Sequence, residues 1–257
     1  QAMIDEIGRQ GFNRASFGVQ EFDPQVQAAI NRIQPPEMVA DCVARLRAAG
    51  IQGINFDLIY GLPHQTVASL RRTVELCLNQ APDRIALFGY AHVPWMAKNQ
   101  RMIEEGALPG PAERAAQAAA AAEALVAAGW RAIGLDHFAQ PHDGLAQAAA
   151  EGRLRRNFQG YTDDQAETMI GFGATSIGRT PQGYVQNIAE TGAYARAVAT
   201  GRLPVAKGLE FRGEDRLRAH VIERLMCDGR VDADAAGRAF GAPEGWWGDA
   251  KAALAPM

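Results

Sequence analysis

The run Gly53-Ile54-Asn55-Phe56-Asp57-Leu58-Ile59-Tyr60 places a carboxylate in a strand-like pattern, with Asn55, Asp57 and Ile59 on one face of the extended chain. A carboxylate among packed residues needs donors, because burial without them is costly or shifts its pKa. Asp57 could take them from ribose hydroxyls or an amino group, or equally from Arg32 or Arg84 as a structural ion pair. In a similar run, Asn13 to Gln20, the small polar residues Ser16, Gly18 and Gln20 share one face and Ala15, Phe17 and Val19 the other. The polar face leaves a cavity and puts the Gln20 amide at the carboxyl end of the strand, where active sites of α/β barrels lie; the alternative is a rim residue bonded to a loop. A third run, Arg84 to Ala91, again leaves room on one face through Gly89 and Ala91, with Tyr90 and His92 opposite. Arg32 has the chemistry to grip a carboxylate with two parallel hydrogen bonds, and also that of an ordinary solvated side chain.

Other groups narrow the chemistry. The small residues of Gly171-Phe172-Gly173-Ala174-Thr175-Ser176-Ile177-Gly178 suit a tightly packed strand or turn that lets backbone approach a ligand. The five histidines, at 64, 92, 137, 142 and 220, show no paired helical spacing, so no metal is assigned to them. Cys42, Cys77 and Cys227 are far apart; the first two fall on apolar helix faces as small hydrophobes, and Cys227 reads the same way.

The elements that must hold these residues alternate. The pattern predicts a helix to Gln10 stopped by Gly11, then a strand over 13–20. A helix follows over 35–49 with Val39, Val43 and Leu46 inward, then the strand 53–60. Thr66 caps a helix carrying Leu70, Val74, Cys77 and Leu78, and the strand 84–91 comes next. Such alternation implies parallel strands with right-handed crossovers, in an open sheet or a barrel, and no glycine fingerprint follows a strand to suggest a dinucleotide site. An alanine-rich helix over 111–128 and a strand over 131–136 lead on, and from about Phe211 the pattern is helical, with Leu217, Val221, Leu225 and Met226 on one face. A last helical pattern starts at Asp249 and runs to Ala255.

The chain has 257 residues, enough for a large α/β domain with a small appendage. Its net charge of −3, with dispersed Lys and Arg, offers no basic stripe for nucleic acid. Its longest apolar candidate, Ala115 to Trp130, is interrupted by Gln117 and Glu123, so no membrane span is expected. The scattered cysteines and the lack of a signal-peptide pattern point to a cytoplasmic location.

Four clusters in fixed order carry a family resemblance: Gly18-Val19-Gln20-Glu21-Phe22, Asn55-Phe56-Asp57-Leu58-Ile59-Tyr60-Gly61-Leu62-Pro63, Gly134-Leu135-Asp136-His137-Phe138-Ala139 and Asn157-Phe158-Gln159-Gly160-Tyr161-Thr162. Across nearly its whole length the chain resembles the oxygen-independent coproporphyrinogen III oxidases, radical S-adenosylmethionine (SAM) enzymes of haem biosynthesis. The resemblance implies an α/β fold, the C-terminal part of a radical SAM partial (β/α) barrel with a small helical C-terminal domain. It divides the chain into 1–210, barrel and catalytic extension, and 211–257, the helical domain. It further implies that Gln20, Arg32, Asp57 and Ala91 contact a second SAM molecule, that Ile177 lines the first SAM site, and that Phe158 and Gln159 are catalytic. The related haem chaperones share the first two clusters and differ around Asn157–Thr162.

The implied reaction turns two propionates of coproporphyrinogen III into vinyl groups, with an electron donor and an electron acceptor as partners and a monomer as the oligomeric state. A [4Fe-4S] cluster reductively cleaves SAM, and the resulting 5′-deoxyadenosyl radical takes a hydrogen beta to the carboxylate. Arg153, Arg155 and Arg156 offer partners for substrate propionates, or form a solvated face. The family's CxxxCxxC cluster motif and glycine-rich SAM segment have no counterpart in this sequence, so the expectation is a fragment with one incomplete SAM site, inactive alone. Two other readings are a non-catalytic haem or tetrapyrrole carrier on the same scaffold, and an unrelated α/β barrel binding a phosphate or acid.

Overall fold

Residues 54, 56 and 58 are the reason the first part of the chain folds as it does: Ile54, Phe56 and Leu58 are essentially inaccessible to solvent, while the residues between them are half-buried. Burying each such side chain stabilises by about 1.5–3 kcal/mol, which commits this alternating run to a strand with one covered face. A computed structural model describes residues 2–254 and divides into two compact units, Gln1–Gln147 and Ala148–Met257.

In the first unit the order is α1 (Ala2–Arg9), β1 (Arg14–Gln20), α2 (Pro24–Ala29), α3 (Pro36–Ala48), β2 (Gly53–Tyr60), α4 (Val67–Leu78), β3 (Arg84–Gly89), α5 (Pro111–Ala127), β4 (Arg131–Ile133) and β5 (His137–Ala139); α6 (Gly144–Ala150) contains the division after Gln147. Helix α3 buries Val39, Val43 and Leu46 as expected, and Thr66 caps α4 in a reciprocal box with Ser69. Strands β1, β2 and β3 are parallel, and α3, α4 and α5 supply Leu46, Val74 and Leu125 to one core with Phe56 and Ile85.

Two expectations change here. The strand expected over 131–136 is a hairpin: Gly134, at φ 59, makes the turn that sends β5 back antiparallel to β4. Strand β5 pairs with β3 as well, giving the order β1-β2-β3-β5-β4, a mixed sheet that does not close into a barrel among the described residues. Strand β3 stops at Gly89, so Ala91 stands beyond the sheet rather than on its face. The six-residue α2, capped by Asp23 and opened by Pro24, is too short to leave a periodic signal.

The second unit contains β6 (Arg155–Asn157), β7 (Gly160–Thr162), β8 (Ile177–Thr180), β9 (Gly183–Asn187), α7 (Thr191–Ala199), β10 (Val205–Glu210), α8 (Asp215–Asp228), α9 (Ala233–Phe240) and α10 (Gly248–Leu254). Strands β6 and β7 form a hairpin, and β10-β9-β8 an antiparallel sheet. Of the apolar face expected on α8, Leu217 is buried but Leu225 is 44% exposed, and Cys227 is the other buried residue of the helix. The expected division at 210/211 falls within this unit. Of the expected terminal helices, Gln1 and Ala255 lie outside the described residues.

Candidate functional site

The open face of the first unit's sheet carries the polar residues that its strand alternation sets opposite the core. Register pairs Ser16 with Asn55 and Gly18 with Asp57 across β1 and β2. The Asn55 amide donates to Ser16 Oγ and to Asp57 Oδ1, each at 2.8 Å. Neither arginine takes the Asp57 carboxylate. Arg84 Nε reaches both oxygens of Asp143 at 2.8 Å, and Arg32 donates to the Gly18 carbonyl at 2.8 Å.

Gln20 is held in an uncommon shape. The pairing of β1 with β2 slips between Gly18 and Gln20, and Gln20 adopts φ 66, a region costly for a residue with a side chain and typical of sites that need one aimed in a set direction. Its amide folds back over Gly18, where a Cβ would overlap Gln20 Nε2. Gln20 Oε1 and Asn55 Oδ1 are both buried with no hydrogen-bond partner among the described residues. Orphaned acceptors cost about 1–3 kcal/mol each, a cost that a ligand's N–H or O–H groups would remove. Two unpaired acceptors, a carboxylate and an arginine on one face suit a ligand with hydroxyl or ammonium donors and a carboxylate.

Residues that sequence spacing did not single out fix this face from behind. Glu21 is buried, and its carboxylate accepts from the amides of Phe22 (2.7 Å) and Asp23 (3.0 Å), from Gln65 Nε2 (2.6 Å) and from the Thr73 hydroxyl. Gln65 Oε1 accepts from the amides of Gly61 and Leu62, and Gln117 ties Gly61 N to the Gln65 carbonyl. Desolvation raises the Glu21 pKa despite these donors. Gly61, at φ 84, leaves the space that the Arg114 guanidinium fills, stacked 5.7 Å above the Tyr60 ring centre. The side-chain partners lie 44 to 56 residues apart in sequence, so only Glu21 and Gly61, inside their clusters, carried any local signal.

The second unit holds Phe158, Gln159 and Ile177. At the tip of the β6–β7 hairpin, Asn157 Oδ1 accepts from Gln159 N at 2.8 Å, and Phe158 stands 57% exposed. Its ring meets Tyr184 edge to face at 5.0 Å, and Tyr184 meets Phe211 the same way at 5.1 Å. These rings border a cavity of about 420 Å³ that Arg156, Arg179 and Ile222 also line. Ile177 begins β8, two residues before Arg179 on the same strand face. Of the arginine run, Arg153 pairs with Glu151 and Arg155 with Glu223, which leaves Arg156.

Gln20, Arg32 and Asp57 are thus brought together in the first unit, whereas Ala91 is exposed in the segment after β3, its carbonyl accepting from Gln100 Nε2 at 3.1 Å. Among the described residues no group of three or more His, Cys, Asp or Glu is placed to hold a metal ion.

Comparison with known proteins finds similar chains. The oxygen-independent coproporphyrinogen III oxidase of Bradyrhizobium diazoefficiens is 58% identical over 230 residues, covering 90% of this chain and 51% of that protein. The enzyme of the same name from Helicobacter pylori is 46% identical over 86% of this chain and 49% of its own length. The solved structure of coproporphyrinogen III oxidase from Escherichia coli, described as a radical SAM enzyme, matches with a TM-score of 0.87 and 36% identity over 93% of this chain and 55% of that one. This chain is similar to the oxygen-independent coproporphyrinogen III oxidases. The radical SAM superfamily model matches residues 1–77, the segment that carries Gln20, Arg32 and Asp57. The chain spans about half the length of the oxidases it matches. The α/β fold expected from the resemblance is the one this chain shares with the Escherichia coli structure.

Proposed function

We propose that this chain serves the oxygen-independent oxidative decarboxylation of coproporphyrinogen III to protoporphyrinogen IX. The observation that carries the reading is the donor-seeking face of the first unit, where Gln20 Oε1 and Asn55 Oδ1 lack partners beside Asp57 and Arg32. SAM fits that face: Asp57 and Gln20 would accept from its ribose hydroxyls or ammonium group, Arg32 would take its carboxylate, and Ala91 would contact it through backbone. When bound, SAM supplies a hydrogen-abstracting radical in this class of chemistry. Ile177 lines the other SAM site in this reading, and Phe158 and Gln159 stand at the substrate, orienting the propionate side chain and excluding water from it. Its partners are coproporphyrinogen III, an electron donor and an electron acceptor. In this reading the protein works as a monomer in the cytoplasm.

The residues present do not fit an iron–sulfur cluster. Cys42, Cys77 and Cys227 sit on three different helices, α3, α4 and α8, and burial raises the thiol pKa of each, to about 11 for Cys227. Cluster iron needs thiolates. Anaerobic treatment of this chain with iron and sulfide is expected to give no stoichiometric [4Fe-4S] absorption, and a full cluster spectrum would overturn that assignment.

The test of the function is anaerobic turnover by the complete gene product that carries this chain, given coproporphyrinogen III, SAM and a reductant, with vinyl product and carbon dioxide followed together. Expected is product formation, lost in Phe158→Ala and strongly reduced in Asp57→Ala. A loaded cluster with no turnover, but with haem tightly bound, would replace the oxidase by a carrier on the same scaffold.

A further inference from the structure

We propose that the cavity of the second unit is a receptor for a propionate-bearing pyrrole ring, with Arg156 and Arg179 gripping the carboxylate and the Phe158–Tyr184–Phe211 rings holding the pyrrole. The assignment rests on the oxidase reading above and adds to it the residues that recognise the substrate's acid groups.

Charge accounting around the cavity singles out these two arginines. Arg218, also at the wall, donates to Glu214 at 3.0 Å, and the Glu223 carboxylate accepts from Arg155 Nε at 3.0 Å and from the Arg156 backbone amide at 3.1 Å. Asp215 accepts from the Arg212 amide at 2.9 Å. Arg156 Nε, by contrast, is buried with no hydrogen-bond partner among the described residues, its guanidinium lying 5.4 Å from the Tyr161 ring centre. Arg179 is half-buried on β8 and borders this cavity and the two smaller ones beside it. A guanidinium N–H buried without an acceptor, as Arg156 Nε is, carries a cost that a neighbouring anion would offset.

The rest of the wall specifies what the anion is attached to. The three rings stand edge to face in sequence, and Leu209 and Ile222, at 61% and 56% exposure, leave apolar surface open at the mouth. About 420 Å³ admits one or two pyrrole rings with their side chains, not a whole macrocycle, so one edge of a tetrapyrrole would enter. A small inorganic anion would leave the aromatic wall unused, and a neutral ring would leave Arg156 orphaned. A flat, apolar, carboxylate-bearing ligand satisfies both halves.

The test is a fluorescence titration of the chain with coproporphyrin III, the stable oxidised counterpart carrying four propionates, beside its tetramethyl ester. Removing one charge-assisted contact should weaken coproporphyrin III by about ten- to a hundredfold in Arg156→Gln and in Arg179→Gln, while Arg202→Gln, exposed after α7, binds as wild type. The ester should bind wild type and both variants alike. Arg179→Gln guards against misfolding, since its half-exposed side chain has no protein ion pair among the described residues to lose. Tight coproporphyrin III binding that neither variant weakens would overturn the arginine receptor while leaving the oxidase reading in place. Absence of any coproporphyrin III binding by the wild-type chain would also overturn the receptor, and the oxidase reading itself stands or falls on turnover.

Discussion

Gly18 and Gly61 both lack a side chain where a methyl group has no room, but they lack it for different reasons, and the difference separates ligand binding from folding. At Gly18 the backbone is ordinary strand, and the atoms a Cβ would displace belong to the end of the flexible Gln20 side chain. Gly18→Ala should expel the Gln20 amide from the sheet face, leave the melting temperature within a few degrees and weaken SAM in calorimetry; unaltered SAM affinity would detach Gln20 from the site. Gly61 sits at φ 84, and its missing Cβ makes room for Arg114. Gly61→Ala should therefore cost about 1–2 kcal/mol through the left-handed backbone alone, read as a lowered thermal midpoint. Asp57→Ala belongs with Gly18: loss of charge-assisted hydrogen bonds should weaken SAM by about 1.5–3 kcal/mol, and no change on mutation would remove Asp57 from the cofactor face.

Between strands and helices, the Glu21 network decides how well the carboxyl ends of β1 and β2 are held. Gln65 has no freedom to flip, because its Oε1 already accepts from the amides of Gly61 and Leu62, so its Nε2 must face Glu21. Glu21→Gln would turn an amide NH2 toward either that nitrogen or the backbone N–H groups of Phe22 and Asp23, leaving buried donors facing each other. The near-isosteric change should cost about 1–3 kcal/mol, visible as a lower denaturant midpoint at constant slope. An unchanged midpoint would show that the network adapts. The same network marks what sequence could convey. Helices α3 and α4 and strands β1 and β2 were legible because each buries residues at its own period, as Val39, Val43 and Leu46 do on α3 and Ile54, Phe56 and Leu58 on β2. The hairpin of β4 and β5 was not, since strands of three residues carry no periodicity and Gly134 alone signals the reversal. Asp57 and Gln20 were visible as polar intrusions in apolar strands, whereas Gln65, Thr73 and Gln117 look like ordinary helix and turn residues until tertiary contacts give them partners.

At the scale of the molecule, the buried Glu21 of the first unit and the half-buried Glu223 of the second pull stability in opposite directions as they titrate. Burial alone would raise the pKa of Glu223, but hydrogen bonds from Arg156 N and Arg155 and the charges of Arg155 and Arg224 outweigh it, so the folded value lies below 4.5. A depressed carboxylate contributes stability above its unfolded pKa and loses it as pH falls through the folded value; here that stability ties β6 to α8 in the second unit. Glu21 is raised above 4.5 by burial, so its contribution is present below that pH and is lost as pH rises through the folded value. Acidification from about pH 6 to about pH 3 should therefore lower the hydrogen-exchange protection of the Arg156 amide while the Phe22 amide, bonded to Glu21, keeps its own. Glu223→Gln should flatten the pH dependence at Arg156 without touching Phe22. Protection at Arg156 that holds constant across this range, with rates corrected for intrinsic exchange, would mean that the Glu223 carboxylate adds nothing to the β6–α8 contact. Equal losses at Phe22 and Arg156 would instead point to global acid unfolding, in which neither carboxylate governs its own unit.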